Sequence, residues 1–345
     1  MSRPRIAIGL PVKDGEKYLR GALEAIRGQT FPDFVVHIVD NASTDATREI
    51  AESFARVDSR FHYSRNEQNV GSLENFHRAF ASARLTGAPL FKWAAHDDRP
   101  RREYLAEVIA EFDDHPSVVA AHARPALVDD YGAEIPYSAE DNAFVTPAGD
   151  RWVWNRRLIR RLQVEDPARR LGAFLRAKAG EWMAYAVFRA DVLAQTELFV
   201  APGFEDTLCA EVLLRGPVSL VETPLFEHRL HAGSARYMSR RDYLAYEYGC
   251  DPGEGPLPSY ARALQYSKAI RNAPISGLDR ARCHAKLARF AVRPRQIANA
   301  ILPGPNNYWG IDFTPTRERH VAPSPGEVRR PSRSLESCKT SSPSL

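Results

Sequence analysis

The sequence predicts an α/β fold: a mostly parallel sheet with helices on its faces and a helical C-terminal extension. Three observations predict it. From Arg5 to Ala123, short apolar runs rich in Val, Ile and Phe alternate with stretches of helical period. A polar loop follows each of the first four runs. No internal repeat suggests a solenoid or an array. Alternating β-α units require right-handed crossovers and therefore parallel strands.

The elements follow in order. Arg5–Leu10 (RIAIGL) is an apolar run of the kind shown by a strand buried on both faces. Tyr18, Leu19, Leu23 and Ile26 recur at helical spacing, and Gly28 closes that helix. Phe34–Val39 is a second strand. Ser43-Thr44-Asp45 then offers hydroxyl and carboxylate caps to a helix over Ala46–Phe54. Phe61–Ser64 is a third strand, Ser72–Ala83 a helix and Pro89–Ala95 a fourth strand. Tyr104–Phe112 is a further helix and Val118–Ala123 a further strand. Asp129–Asp150 is polar and turn-rich and reads as an excursion across the mouth of the sheet. Helical and strand-like segments resume from Trp152 to Phe226. Tyr260–Ala300 is helical in pattern and strongly basic, with Asp279 its only acidic residue. From Thr314 onward Pro, Ser and Arg dominate, and disorder is expected.

Composition narrows the class. A chain of 345 residues can bury one large core or two smaller ones. Hydrophobic residues at 44% and charged residues at 26% are ordinary for a globular enzyme. A net charge of +4 is too small to argue for nucleic acid. No apolar run approaches the roughly 20 residues of a spanning helix. Met1–Arg5 is basic, but Ile6–Val12 is short, contains Gly9 and Pro11, and lacks the small-residue site of a secretory signal. Cys209, Cys250, Cys283 and Cys338 lie far apart with no CxxC pair, so a reducing cytoplasm is expected.

Ligands of an open parallel sheet gather at the carboxyl ends of its strands. Four polar loops fall there: Pro11 to Gly15, Asp40 to Asp45, Asn66 to Gly71, and His96-Asp97-Asp98. Adjacent carboxylates after a buried strand suit a hard divalent cation, which takes oxygen ligands and bridges phosphates. Such a cation neutralises charge on a departing diphosphate. The same pair also fits a simpler role, with Asp98 capping the next helix and Asp97 solvated. Asp40 can accept from a base or a ribose, or close a turn with helix caps. Asp45 reads as a cap. Gly71 either admits a phosphate to the backbone or serves a turn.

The run GLPVKDGEKYLRGALEAIRGQTFPDFVVHIVDNASTDATREI, then NVG, then FKWAAHDD, resembles the family 2 glycosyltransferases of the GT-A fold. Further pieces follow in order. Gly203-Phe204-Glu205-Asp206 is similar to the family's glutamate–aspartate pair, and His228 to Ser234 (HRLHAGS) to its R-x-H-x-G-S segment. The likeness spans about Arg5 to Ser234, and its specificity lies in the order and spacing of the pieces. It implies a transferase domain over 1–235, with a nucleotide-sugar half to about 125 and an acceptor half from about 126. A basic helical extension over 236–313 and a tail over 314–345 follow.

The resemblance also implies roles. Pro11 and Asp40 match positions lining the nucleotide base. With Val12, Asn69, Gly71, His96, Asp97 and Arg229 they form the implied nucleotide-sugar set. Asp97, Asp98 and His231 are the implied holders of Mn²⁺ or Mg²⁺. Asp206 matches the general base that deprotonates an acceptor hydroxyl for in-line, inverting attack on the anomeric carbon. Glu181, Trp182 and Glu205 are placed on the acceptor side; Trp182 fits a sugar-facing ring or a core residue. Two positions depart from the family pattern. The triplet that normally begins with aspartate is Ala95-His96-Asp97, and Phe76 stands where an arginine is common. Phosphate neutralisation is left to the cation, Arg229 or Lys13.

The expected function is transfer of a hexose or deoxyhexose from a UDP- or dTDP-sugar to a hydroxyl of a polysaccharide, glycolipid or secondary metabolite. The basic segment fits either a solvated helical face or contact with an anionic membrane near a lipid-linked acceptor. A nucleotidyltransferase would need a Gly- and Arg-rich loop after the first strand, and a nicotinamide dehydrogenase GxGxxG; LPVKDGEKY is neither. A catalytically silent nucleotide-sugar-binding protein is the remaining alternative.

Overall fold

The computed structural model describes residues 3–141, 143–146, 151–154, 159–177, 183–200, 205–231, 233–234, 238, 240–249 and 259–292. Its main sheet is mixed and mostly parallel. The strands in chain order are β1 (Ile6–Val12), β2 (Phe34–Asp40), β3 (Phe61–Arg65), β4 (Leu90–Trp93), β5 (Arg99–Pro100), β6 (Ala120–Val128), β10 (Val187–Arg189) and β11 (Val218–Arg229). Their order across the sheet is β3-β2-β1-β4-β10-β6-β11-β5. β1, β2, β3 and β4 run parallel, as do β6 and β11. β10 is antiparallel to both neighbours, and β5 is antiparallel to β11. Every residue of β1 and β4 is buried, which is why these strands read as unbroken apolar runs.

The crossover helices use one face each. α1 (Leu19–Arg27) buries Leu19, Ala22, Leu23 and Ile26, and α2 (Thr47–Val57) buries Thr47, Ile50, Ala51 and Phe54. α3 (Ser72–Arg84) buries Asn75, Ala79, Phe80 and Ala83. These are the i, i+3, i+4, i+7 stripes of amphipathic helices. α4 (Tyr104–Asp114) covers β6 and β11.

The stretch expected to be irregular holds more order than its sequence suggests. β6 continues to Val128, and a second, antiparallel sheet forms from β7 (Tyr137–Ser138), β8 (Ala143–Val145) and β9 (Arg151–Val153). Tyr137 pairs with Phe144, and Phe144 with Trp152, at ring distances of 5.1 and 5.7 Å. Cross-strand aromatic contacts of this kind hold strands too short to show a period. β11 shifts register around Pro224, where the missing N–H interrupts the ladder.

Beyond the sheet lie α5 (Pro167–Ala177), α6 (Ala190–Leu193), α7 (Glu205–Arg215), α8 (Arg240–Tyr248), α9 (Ser259–Asn272) and α10 (Gly277–Ala291). α9 and α10 are not a separate body. Tyr266, Ala269, Ile270, Cys283 and Leu287 join the core that contains Leu171 of α5 and Leu208 and Val212 of α7. Much of the basic charge read in this region is engaged within the fold. Arg280 donates to the carbonyls of Ile270, Ala273 and Ile275, and Arg282 pairs with Asp166 and Asp279. Lys268 pairs with Glu197. Arg293, Arg295 and the tail over 314–345 lie outside the described residues. Among the described residues no helix is long and apolar enough to cross a membrane.

Candidate active site

The loops after β1 and β2 are laced together by short polar side chains. The Asp14 N–H donates to Ser43 Oγ at 2.9 Å, Gly15 N–H to Thr47 Oγ1 at 2.7 Å and Glu16 N–H to Asp45 at 3.0 Å. In return, Asp14 accepts from Thr44 N–H and Glu16 from Ala46 N–H. Asp14 and Ala42 hold φ of 49° and 58°, a left-handed backbone that non-glycine residues rarely adopt. This lacing fixes the ends of β1 and β2, where Pro11 and Val12 are buried.

Asp40 lies deeper than its expected contact with a base requires. Its carboxylate is wholly buried and accepts from Ser43 N–H, Tyr63 Oη (2.7 Å) and Arg65 (2.9 Å). Its hydrogen bonds hold Tyr63 and Arg65, which lie nearer the surface.

The acid loop after β4 is built against β11. Asp98 is 3% exposed; its Oδ1 accepts the Arg229 N–H at 3.0 Å and lies 3.0 Å from His228 Nδ1. Both carboxylate oxygens contact β11, so Asp98, expected to hold a cation, also ties the acid loop to that strand. Arg229 is engaged in a similar manner. Its guanidinium donates to the carbonyls of Asp97, Asp129 and Asp130 at 3.2, 2.9 and 2.9 Å, and it stacks over Tyr18. These bonds engage the fork with backbone carbonyls.

Asp97 and His231 meet directly, with Nε2 2.8 Å from Oδ2. The His231 ring leans on Tyr18 at 4.6 Å. Burial would raise the Asp97 carboxyl, but the His231 hydrogen bond and the charges of His96, His231 and His228 outweigh it and hold it well below the usual range. His96 packs over Gly15, where a methyl group would fall 3.1 Å from its ring. An imidazole nitrogen and a carboxylate oxygen fit Mn²⁺ or Mg²⁺, which take few protein ligands and fill the remainder with water and phosphate. Among the described residues no group of three or more His, Cys, Asp or Glu converges.

The third loop is an asparagine network. Asn41 donates to Asn69 Oδ1 (2.8 Å) and to the Gly71 carbonyl (3.1 Å), and accepts from Val70 N–H and Asn66. Asn66 donates to Asn75, which donates to the Val39 carbonyl. Asn69 is thus an exposed residue on a rigid base. Phe76 has joined an aromatic cluster with Trp93, Tyr185 and Phe199, which accounts for the lack of a cation there.

Glu205 and Asp206 occupy the first turn of α7. Tyr185 is half-buried, and its burial, then the charges of Asp98, Asp97, Tyr246 and Glu205, raise its hydroxyl well above the ordinary range. The acid loop and the start of α7 thus both lie within electrostatic reach of one tyrosine. Sequence reasoning passed over Tyr185 and His228. His228 was legible as the neighbour of Arg229; Tyr185 carried no signal. Glu181, Trp182, Gly203 and Phe204 lie outside the described residues.

Residues 7–169 match the family model described as Glycosyl transferase family 2. The chain is 26% identical over 247 residues to EpsH of Bacillus subtilis (strain 168), whose name assigns it provisionally to the glycosyltransferases. That match spans 68% of this chain and 63% of the relative, so less than two thirds of the relative's length is covered. It is 37% identical over 67 residues to the glycosyltransferase GlyA of Streptococcus pneumoniae serotype 4, 19% of this chain and 10% of that one. Among solved structures, S. aureus TarS 1–349 in complex with UDP-GlcNAc is similar with a TM-score of 0.56 at 19% identity, over 83% of this chain and 72% of that one. At that identity the likeness is one of GT-A fold.

Proposed function

We propose that this chain is a family 2 glycosyltransferase, an inverting enzyme moving a sugar from a nucleoside diphosphate sugar to a hydroxyl acceptor. The observation that carries the reading is that Asp97, bonded to His231, and Glu205, which precedes Asp206 on α7, both lie within electrostatic reach of Tyr185. A transferase needs a diphosphate site and a base within one sugar's reach of each other, and the two acidic segments supply both ends.

In this reading Pro11 and Val12 floor the nucleoside, Asp40 positions Tyr63 and Arg65 beside it, and Asn69 and Gly71 form a wall. TarS holds UDP-GlcNAc in its crystal, which favours a uridine donor here. Asp206 takes the proton of the acceptor hydroxyl as general base. That oxygen attacks the anomeric carbon while the bond from this carbon to the diphosphate oxygen breaks, inverting the centre in one displacement. Asp97 and His231 would hold Mn²⁺ or Mg²⁺, whose contribution is to stabilise charge on the leaving diphosphate. Lys13, paired with Asp14 on the first loop, is placed to assist. The acceptor is a carbohydrate or lipid-linked hydroxyl at a cytoplasmic site. Exposed Lys286 and Arg289 of α10 suit contact with an anionic membrane surface.

A thermal-shift panel of UDP-, dTDP- and GDP-sugars with and without Mn²⁺, followed by donor hydrolysis, tests this reading. A metal-dependent shift with hydrolysis is expected. Asp206→Asn should keep nucleotide affinity within about threefold and lose transfer by about a thousandfold or more. Binding without any turnover would instead identify a silent binding protein, and no binding by any sugar nucleotide would overturn the reading.

A further inference from the structure

The end of α8 lies on the donor loop, backbone against backbone. Gly71 is buried with φ +84°, and a methyl group on it would fall 2.3 Å from the Glu247 carbonyl oxygen and 2.8 Å from Gly249 N. Gly249 has φ +74°, and a methyl group there would fall 2.5 Å from Gly71 N and 3.1 Å from the Asn69 carbonyl oxygen. Only glycine at both positions permits this approach. Tyr246, one turn back from Gly249, lies beside Ser72, the first residue of α3, and within electrostatic reach of Asp97. Glu247 is 8% exposed, bonded to Tyr243, and faces the charge of Glu205 on α7. One short helix from the C-terminal extension therefore touches the donor loop and confronts the helix that carries Asp206.

We propose that α8 is a structural part of the donor site: its last turn clamps the Asn69–Gly71 loop, and Glu247 is the positioning residue that relates this clamp to α7. The inference rests on the transferase reading for its functional half and on backbone geometry for its structural half. Among the described residues, the titratable groups facing Glu247 are Glu205 from α7 and Tyr243, Tyr246 and Tyr248 from α8 itself; Asn69, Gly71 and Ser72 on the other side carry no titratable group. No cation is among them, so the clamp depends on Glu247 keeping its proton. Burial and the charge of Glu205 push its carboxyl up to about 8. The seated helix holds that proton where a released one would lose it near 4.5, so seating weakens as pH rises through this window.

Hydrogen exchange and UDP·Mn²⁺ binding on the full chain test the two halves separately. Gly249→Ala should speed exchange of peptides covering residues 66–75 and 240–249 by about tenfold, leave β1 and β2 protected, and weaken UDP by about tenfold. Protection of β1 and β2 shows that the variant folds. Glu247→Ala should raise the donor KM more than it lowers kcat, with Glu247→Gln restoring KM and removing the rise in KM that wild type shows between pH 6 and pH 9. Unchanged exchange in the 66–75 peptides of Gly249→Ala overturns the clamp. A KM profile in Glu247→Gln that rises like wild type overturns the role of Glu247. If wild type binds no nucleotide, the transferase reading fails while the exchange experiment still decides the clamp.

Discussion

Lys92→Met should make the protein more stable at neutral pH. Lys92 lies on β4 and is 2% exposed, flanked by the rings of Tyr104 (5.2 Å) and Phe226 (4.8 Å). Its ammonium donates to the Tyr185 carbonyl, and the Asp98 carboxylate favours its charge. Burial dominates and lowers its pKa from 10.5 to about 7. The unfolded chain keeps this proton up to pH 10.5 while the folded chain releases it near 7. Between those values the unfolded state binds more protons, and stability rises with pH. At 1.36 kcal/mol per unit, the burden at pH 7 is about 4 kcal/mol and at pH 9 about 2 kcal/mol. Methionine fills a similar volume but strands the Tyr185 carbonyl, at about 1–3 kcal/mol. The variant should therefore be about 2 kcal/mol more stable than wild type at pH 7 and close to it at pH 9. Urea denaturation of both proteins at both values measures this. The change in the wild-type-to-variant difference between the two pH values, about 2 kcal/mol, is independent of the carbonyl term. A difference that does not move with pH would refute the reasoning, because it would mean that the folded protein holds Lys92 charged throughout.

Two further outcomes are expected. His231→Ala removes the nitrogen that meets Asp97 and should abolish the Mn²⁺-dependent part of the thermal shift with UDP while leaving the metal-free melting temperature within about 3 °C, as read by scanning fluorimetry. Arg170→Met should cost about 3 kcal/mol or more in urea denaturation, since this buried guanidinium serves the carbonyls of Leu213 (2.6 Å), Val164 (2.8 Å) and Glu165 (2.6 Å), all of which would lose their donor.

The parallel half of the sheet was legible because β1, β2 and β4 are covered on both faces, so burial writes itself as continuous apolar sequence. The loops at their carboxyl ends were legible for the complementary reason: a run of Asp, Asn, Ser and Gly cannot belong to that core. The strands β5 and β7 have two residues each and cannot show a period. Individual roles were less legible than positions. Asp98 and Arg229 were found as site residues, but which side of the loop each side chain faces depends on β11, which arrives some 130 residues later. Gly71 read equally as a turn or a phosphate seat, and its neighbour Gly249 is too distant in sequence for any local pattern to join them. Lys92 did leave a signal, as the one charge within the run PLFKWAA.

Arg229→Lys separates the two roles open to that residue. If Arg229 neutralises phosphate, lysine keeps the charge, and UDP affinity should survive with its salt dependence intact. If it positions the acid loop, charge is not what matters. The guanidinium fork reaches Asp97, Asp129 and Asp130 at once, because its nitrogens diverge in one plane while a side chain that is only 7% exposed stays fixed on Tyr18. A single ammonium on a flexible stem cannot span all three carbonyls. The lost bonds amount to about 1–3 kcal/mol, and the loop they release carries the Asp97 carboxylate. The variant should therefore melt lower and bind UDP·Mn²⁺ at least about tenfold more weakly, with metal-free UDP binding much less affected. Wild-type stability and affinity in Arg229→Lys would return the residue to the phosphate-holding role, since only a point charge would then have been needed.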